Sequence, residues 1–383
     1  MIGLITNLSN NTAFLKHKLA TTKSADLLKA TGGNTGNVAF VHAVQSILAD
    51  EYQIIEWGSN PEVINQQFDR LVICCANQIG SHVDLANWGH RLEKFNLPVV
   101  LIGLGAQSNI IGNIPEVPQG SVDFLKTVGQ LNANSVHTNI ATRGEFSSAV
   151  LAHHGIESSP IGCPSLLFSK DPYLGQTCLK NQSRKNIRIM VPAGNPYHPS
   201  GCIEKKLVEL VNAYHGEYVL QHPELLFNLL LDDGMDITES QIELLKKVYP
   251  NFNSIEELKD WLKANSVFFA DAPNWLNYSR KFTTVIGPRY HGVALPLQVG
   301  IPGKVIAIDS RTEELALTTG VPYIGYQDVL SSTTDELAAM SYWTQENADH
   351  FDSTRRLNSR RYVDFLNENS LTPTAHLSTI SKE

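Results

Sequence analysis

Short apolar runs of strand length alternate with stretches of helical period along most of the chain, and this alternation limits the fold more than any other feature. Residues 53–57, 71–76, 99–103 and 135–138 read as strands, separated by helical stretches near 38–48, 83–95 and 121–131. A parallel strand pair needs a crossover of a dozen or more residues, and a helix supplies it, so the pattern predicts parallel sheets covered on both faces. The alternation resumes with strands near 187–191, 218–221, 267–270, 284–286 and 304–308. Between the two sets, residues 176–185 are polar and charged, as a linker should be. A chain of 383 residues is long enough for two separate cores. The expected fold class is therefore α/β, with two Rossmann-like doubly wound domains facing across a cleft. Their expected bounds are 1–178 and 186–340, followed by a helical C-terminal segment, 341–383, whose polar end from residue 370 should fray.

Charge and cysteine usage exclude several classes of function. The net charge is −8, and the basic pairs Lys205-Lys206, Lys246-Lys247, Arg355-Arg356 and Arg360-Arg361 are short and scattered, so no nucleic-acid partner is expected. No apolar run approaches the ~20 residues that cross a bilayer, and residues 1–6 lack the charged and apolar regions of a signal peptide. No transmembrane segment and a cytoplasmic location are expected. The five cysteines, Cys74, Cys75, Cys163, Cys178 and Cys202, show no CxxC spacing, and no HExxH pattern occurs. Neither a metal nor a cofactor is expected. Cys74 and Cys75 point to opposite faces of one strand and read as core.

Ligands of doubly wound domains sit outside the carboxyl ends of the strands, so four loops matter: 32–37, 103–107, 142–145 and 287–292. In the last, Arg289 and His291 fall two residues apart where an apolar strand gives way to a helix. A helix start offers unpaired N–H groups, a guanidinium matches carboxylate or phosphate, and an imidazole can carry a proton near neutral pH. Arg143 is a second strand-end arginine before a helix, and the two could grip one small polyanion between the domains. In the glycine-rich loop 32–37, Asn34, Gly36 and Asn37 are possible substrate contacts, as are Gln107 and Glu313 at other strand ends. Gly103-x-Gly105-x-x-Ser108 lacks the third glycine of a dinucleotide fingerprint and follows a late strand, which excludes NAD binding.

Together these residues resemble the polysaccharide pyruvyl transferase family. The resemblance rests on the loop Gly33-Asn34-Thr35-Gly36-Asn37, the segment Arg143-Gly144-Glu145-Phe146-Ser147, and Arg289-Tyr290-His291-Gly292 followed by Gly300-Ile301-Pro302. It spans most of residues 32–325. It implies a GT-B-like fold and a ketal pyruvyltransferase that moves the pyruvyl group of phosphoenolpyruvate, a co-substrate rather than a cofactor, onto two hydroxyls of a sugar. The acceptor would be the sugar of a polysaccharide or lipid-linked oligosaccharide, in the synthesis of an exopolysaccharide or cell-envelope glycan. By position, the resemblance makes Arg143, Arg289 and the Tyr290 backbone the donor-binding residues and His291 the catalytic one. Asn37 stands where the family usually has aspartate, which leaves Glu145, Asp271, Asp309 and Glu313 as possible bases. Two other functions fit the same fold: a nucleotide-sugar glycosyltransferase, and a non-catalytic glycan-binding relative.

Overall fold

A computed structural model describes residues 1–8, 23–108, 110–134, 136–183, 185–231 and 236–382. The first sheet contains β1 (Ile2–Ile5), β2 (Tyr52–Ile55), β3 (Arg70–Cys74), β4 (Asn77–Ile79), β5 (Val99–Ala106), β6 (Ile140–Thr142) and β7 (Ser159–Pro160). Its order is β2-β1-β3-β5-β6-β7, with β4 attached to β5. The second contains β8 (Ile189–Pro192), β9 (Glu217–Leu220), β10 (Ser266–Phe268), β11 (Thr284–Gly287), β12 (Gly303–Ala307) and β13 (Tyr323–Gly325), in the order β10-β9-β8-β11-β12-β13. Every strand pair is parallel. The second sheet thus has the Rossmann order and the first the flavodoxin-like order, both doubly wound. Each order reverses at one point, and the second sheet reverses between β8 and β11. The loop after β11 carries Arg289.

Helices cover both faces, so the central strands read as continuous apolar runs: all four residues of β1, β8 and β11 are buried. β1 escaped the sequence reading because four residues next to the chain start show no period. The strand expected at 135–138 lies instead at β6; Ser135 is outside the described residues. Asn132 and Asn134 accept from the amides of Asn134 and Val136 at 3.0 and 2.9 Å, local bonds that favour a turn, and Val136 is 78% exposed. Two further corrections concern the expected linker and tail. Helix Leu174–Asn181 occupies most of the linker and buries Leu174 and Cys178; Arg184 lies outside the described residues. The tail does not fray: Leu371, Leu377 and Ile380 are buried, and Ala375–Ser381 is helical.

The chain's last part returns to the first sheet. Helix Gln345–Glu368 packs on helix Leu174–Asn181, its buried Arg355 donates to the carbonyls of Leu166, Ser169 and Asp171, and Tyr362 donates to the Gly162 carbonyl at 2.8 Å. Two parallel-sheet domains joined in this way are GT-B-like. Among the described residues, no helix is long and apolar enough to cross a membrane.

Candidate functional site

Arg143 follows β6 directly, and its amide donates to the Leu104 carbonyl of β5 at 2.9 Å, which fixes where its side chain starts. The guanidinium then lies flat against Gly105: a Cβ there would stand 1.6 Å from Nε. Only glycine leaves that space. Arg143 donates to Asn77 Oδ1 at the start of β4, and its Nε lies 3.9 Å from Glu314 Oε2. Glu314 belongs to helix Ser310–Thr319 after β12, and it accepts from both the amide and hydroxyl of Ser147, so it clamps the two domains together. Burial, partly offset by Glu314, holds the Arg143 pKa down at about 10, well above neutrality.

On the opposite side, β11 ends at Gly287, and Arg289 is the N-cap of helix Tyr290–Leu297, whose start carries no side-chain cap. An uncapped helix start leaves first-turn N–H groups without intrahelical partners. The close approach of this helix to β8 depends on Gly292, where a Cβ would stand 2.5 Å from Pro192 Cγ. The Tyr290 side chain turns into the core and donates to Thr319 Oγ1 at 2.9 Å. His291 and Arg143, from different domains, line one narrow cavity with Phe40, Cys75, Cys163 and Leu315. His291 Nε2 lies 3.6 Å from Cys163 Sγ, and its ring centre is 6.0 Å from that of Phe40. Burial, then the charges of Arg143 and Arg311, push the His291 pKa down to about 3, so the imidazole is neutral at pH 7.

Arg289 does not line that cavity. Its Nε donates to the Ala193 carbonyl at 3.3 Å, and its Nη2 to the carbonyls of Gly194 and His222 at 3.2 and 3.3 Å. These carbonyls follow β8 and β9, beside the reversal of strand order. Behind them, fully buried Glu204 accepts from Tyr218 Oη, and burial raises its pKa to about 7 against the pull of Tyr218 and Arg289.

The loop 32–37 reaches across the cleft, where Thr35 donates from its amide to the Gln221 carbonyl at 3.1 Å and from its hydroxyl to the Leu220 carbonyl at 3.3 Å. Its asparagines serve the loop itself. Asn34 Oδ1 accepts from the Gly36 amide at 2.8 Å, and Asn37 Nδ2 donates to the carbonyls of Thr31 and Gly32 at 3.0 and 3.1 Å. Gly36 faces Gln221, whose Oε1 would stand 2.3 Å from a Cβ at that position. Gln107 accepts from Asn77 Nδ2 and donates to Asp309 Oδ2 at 3.5 Å.

The four carboxylates considered as bases lie in different settings. Glu145 and Asp271 are exposed, and Asp271 caps its helix through the Asn274 amide at 2.7 Å. Glu313 is half-buried. Asp309 alone is buried in the cleft; its Oδ1 accepts from the Thr312 amide and hydroxyl at 2.8 and 2.9 Å, and its Oδ2 meets Arg311 Nη2 at 3.3 Å.

The sequence assigns no role to Asn77, Glu204, Glu314 or Arg311, although Arg311 and Glu314 stand in the helix that follows the Arg289–His291 element. Arg311 carried one available signal, a cation two residues beyond a strand-end aspartate. Asn77 carried none, because β4 is a three-residue strand on the side of β5.

Two doubly wound sheets whose facing loops bring Arg143 and His291 into one cavity, with Arg289 held apart from it, define a GT-B-like protein. The chain belongs to the polysaccharide pyruvyl transferase family, whose sequence profile matches residues 34–310. Membership implies a transferase with a sugar acceptor. No curated protein sequence matches the chain significantly. Among solved structures it is similar to a UDP-GlcNAc 2-epimerase from Methanocaldococcus jannaschii in complex with UDP-GlcNAc and UDP, at 11% identity and a TM-score of 0.43, covering 94% of this chain and 99% of that one. It is similar also to MnaA from S. aureus with UDP, at 11% identity and a TM-score of 0.41, covering 97% and 98%. An α,α-trehalose-phosphate synthase from Burkholderia vietnamiensis is a third, at 10% identity and a TM-score of 0.38, covering 79% and 74%. Likeness at this level says nothing of what this chain binds, and the fold rests on its own strand order.

Proposed function

We propose that the protein transfers the pyruvyl group of phosphoenolpyruvate onto two hydroxyls of a sugar in a polysaccharide or lipid-linked oligosaccharide, closing a cyclic ketal and releasing phosphate. The observation that carries this reading is the meeting of Arg143 and His291, from separate domains, in one cavity. Phosphoenolpyruvate brings about three negative charges, two of them on a phosphate near neutral pH, and needs cations or oriented N–H groups around it. Arg143 and the uncapped helix start at Tyr290 offer both. Arg289, fixed on its carbonyls, orders the turn from which that helix begins.

In this reading a proton adds to the methylene carbon of the donor while one sugar hydroxyl attacks the neighbouring carbon. Phosphate then leaves with the C–O bond electrons, and the second hydroxyl closes the ketal. The two hydroxyl protons balance the equation: one replaces the proton consumed at carbon, and the other leaves with phosphate. In this reading His291 handles the first. It is neutral because burial, and then Arg143 and Arg311, oppose its protonation, and a trianion beside the two arginines offsets their share of that opposition. Donor binding would therefore load the imidazole with the proton it delivers.

The test is mass spectrometry of glycans incubated with the protein and either phosphoenolpyruvate or sugar nucleotides. A product heavier by one pyruvate less one water, appearing with phosphate release, supports the proposal. Glycosyl addition from a sugar nucleotide, with phosphoenolpyruvate untouched, would replace it with the glycosyltransferase reading. Glycan retention with no turnover of either donor would leave a binding relative.

A further inference from the structure

Cys163 lies in the wall of the cavity that holds Arg143 and His291. It is buried, and it is the N-cap of the short turn Pro164–Leu166, which packs against both helix Asn37–Ile47 and helix Tyr290–Leu297. The segment leading to it is fixed twice. The Ile161 amide donates to the Thr142 carbonyl at 3.1 Å, beside the root of Arg143, and the Gly162 carbonyl accepts from Tyr362 Oη at 2.8 Å. Gly162 has a φ of 87°, a left-handed conformation that turns the chain sharply into Cys163. The first domain thus holds a sulfur against a ring carried by the second.

Three side chains form a hydrogen-bonded chain at this point. Cys163 Sγ lies 3.6 Å from His291 Nε2 and 3.1 Å from Oγ of fully buried Ser165, whose hydroxyl has no other partner among the described residues. Burial keeps Cys163 a neutral thiol, against the pull of Ser165 and Arg143. A thiol has one proton to give and can also accept weakly. Ser165 Oγ is the nearer place for that proton, which leaves the sulfur to accept from Nε2. The other ring nitrogen, Nδ1, has no hydrogen-bond partner among the described residues. In an imidazole the bond made by one nitrogen decides what the other can do.

We propose that Cys163, backed by Ser165, is a positioning residue that holds the Nε2 proton of His291 and so makes Nδ1 the nitrogen through which protons pass. The inference rests on the reading of His291 as the proton carrier, and it deepens that reading. In the loaded ring both nitrogens carry protons. Nε2–H stays on the sulfur, and the Nδ1–H bond breaks as the new C–H bond forms at the methylene carbon of the donor. The neutral ring is then bare at Nδ1, which takes the proton of the attacking hydroxyl as its O–H bond breaks. Over the cycle the ring gains and loses no proton, and the thiol keeps its own.

The test is nitrogen NMR of the His291 ring near neutral pH, with phosphate-release kinetics on phosphoenolpyruvate and glycan. It compares the full wild-type chain with Cys163→Ser, Cys163→Val and Ser165→Ala, with a thermal melt of each. Wild type should carry its single ring proton on Nε2. Cys163→Ser keeps a hydrogen-bonding atom in place, so it should keep that tautomer and most of the turnover. Cys163→Val fills the space without one. It should let the ring proton divide between the two nitrogens and lower kcat roughly threefold to tenfold, with KM for phosphoenolpyruvate nearly kept. Ser165→Ala frees the thiol proton to turn towards Nε2, so it should move the ring proton to Nδ1. A wild-type ring protonated on Nδ1, or a folded Cys163→Val variant with wild-type tautomer and kcat, would overturn the inference and leave the donor reading standing. If Cys163→Val does not fold, an unmoved ring proton in Ser165→Ala overturns it equally. A ring that loses its Nε2 preference in Cys163→Val, in a protein that never releases phosphate from phosphoenolpyruvate, would keep Cys163 as the holder of the ring and remove the pyruvyl donor.

Discussion

Arg143 and Arg289 occupy equivalent places, each at a strand end before a helix, yet they use their guanidinium groups differently. Arg143 meets side chains, Asn77 and Glu314, that both keep other partners in Gln107 and Ser147. Arg289 meets three backbone carbonyls, those of Ala193, Gly194 and His222. The first arrangement lets a guanidinium exchange a protein partner for a ligand, because the released groups stay satisfied. The second ties an arginine to the shape of two loops, so its removal leaves carbonyls without donors. Position in the motif is the same; what each arginine does follows from its neighbours.

Substitutions separate the roles of the two arginines. His291 stands beside the adaptable arginine and is expected to handle the proton, so His291→Ala should lower turnover by roughly 10²–10⁴-fold with the fold intact. Phosphate-release assays and a thermal melt check this, and near wild-type turnover would remove His291 from the chemistry. Gly105→Ala should have the next largest effect. A methyl there collides with the Arg143 guanidinium and displaces it, and a displacement of about 1 Å at a positioning group costs on the order of 10²-fold in rate. Unchanged kinetics in a folded Gly105→Ala variant would show that Arg143 has no fixed role. Arg289→Ala should act first on stability, by about 2 kcal/mol in denaturant unfolding, through the carbonyls it strands. A larger loss of stability from Arg143→Ala than from Arg289→Ala would reverse the comparison.

Much of this was legible in the sequence, and the exceptions share a cause. The period of apolar runs was enough for two parallel sheets, because buried central strands such as β8 and β11 are apolar throughout. Arg143 and His291 were legible from strand-end position alone, and the cleft brings them together. Contacts made across the domains were not legible. Glu314 reaching Ser147 and Gln107 reaching Asp309 join residues 167 and 202 positions apart, and no local period encodes such pairs. The asparagines of the loop 32–37 show the converse. Their spacing suggested ligand contacts, whereas their amides close the loop on itself. Short side-chain amides bond readily to nearby backbone, so sequence alone cannot distinguish the two uses.

Cations from both domains, Arg143 and Arg311, act on His291. The most direct measurement is an NMR titration of the His291 ring in the free protein and with phosphoenolpyruvate bound. In the free protein the ring should stay neutral down to about pH 3, held so by burial and by Arg143 and Arg311. The folded pKa lies below the ordinary histidine value, so the folded chain should lose stability as the pH falls below about 6.5, where the unfolded ring gains its proton. Bound donor should raise the ring's pKa towards neutrality. A ring that titrates near 6.5 in the free protein, or one unmoved by saturating phosphoenolpyruvate, would remove His291 and the two arginines from a shared donor site.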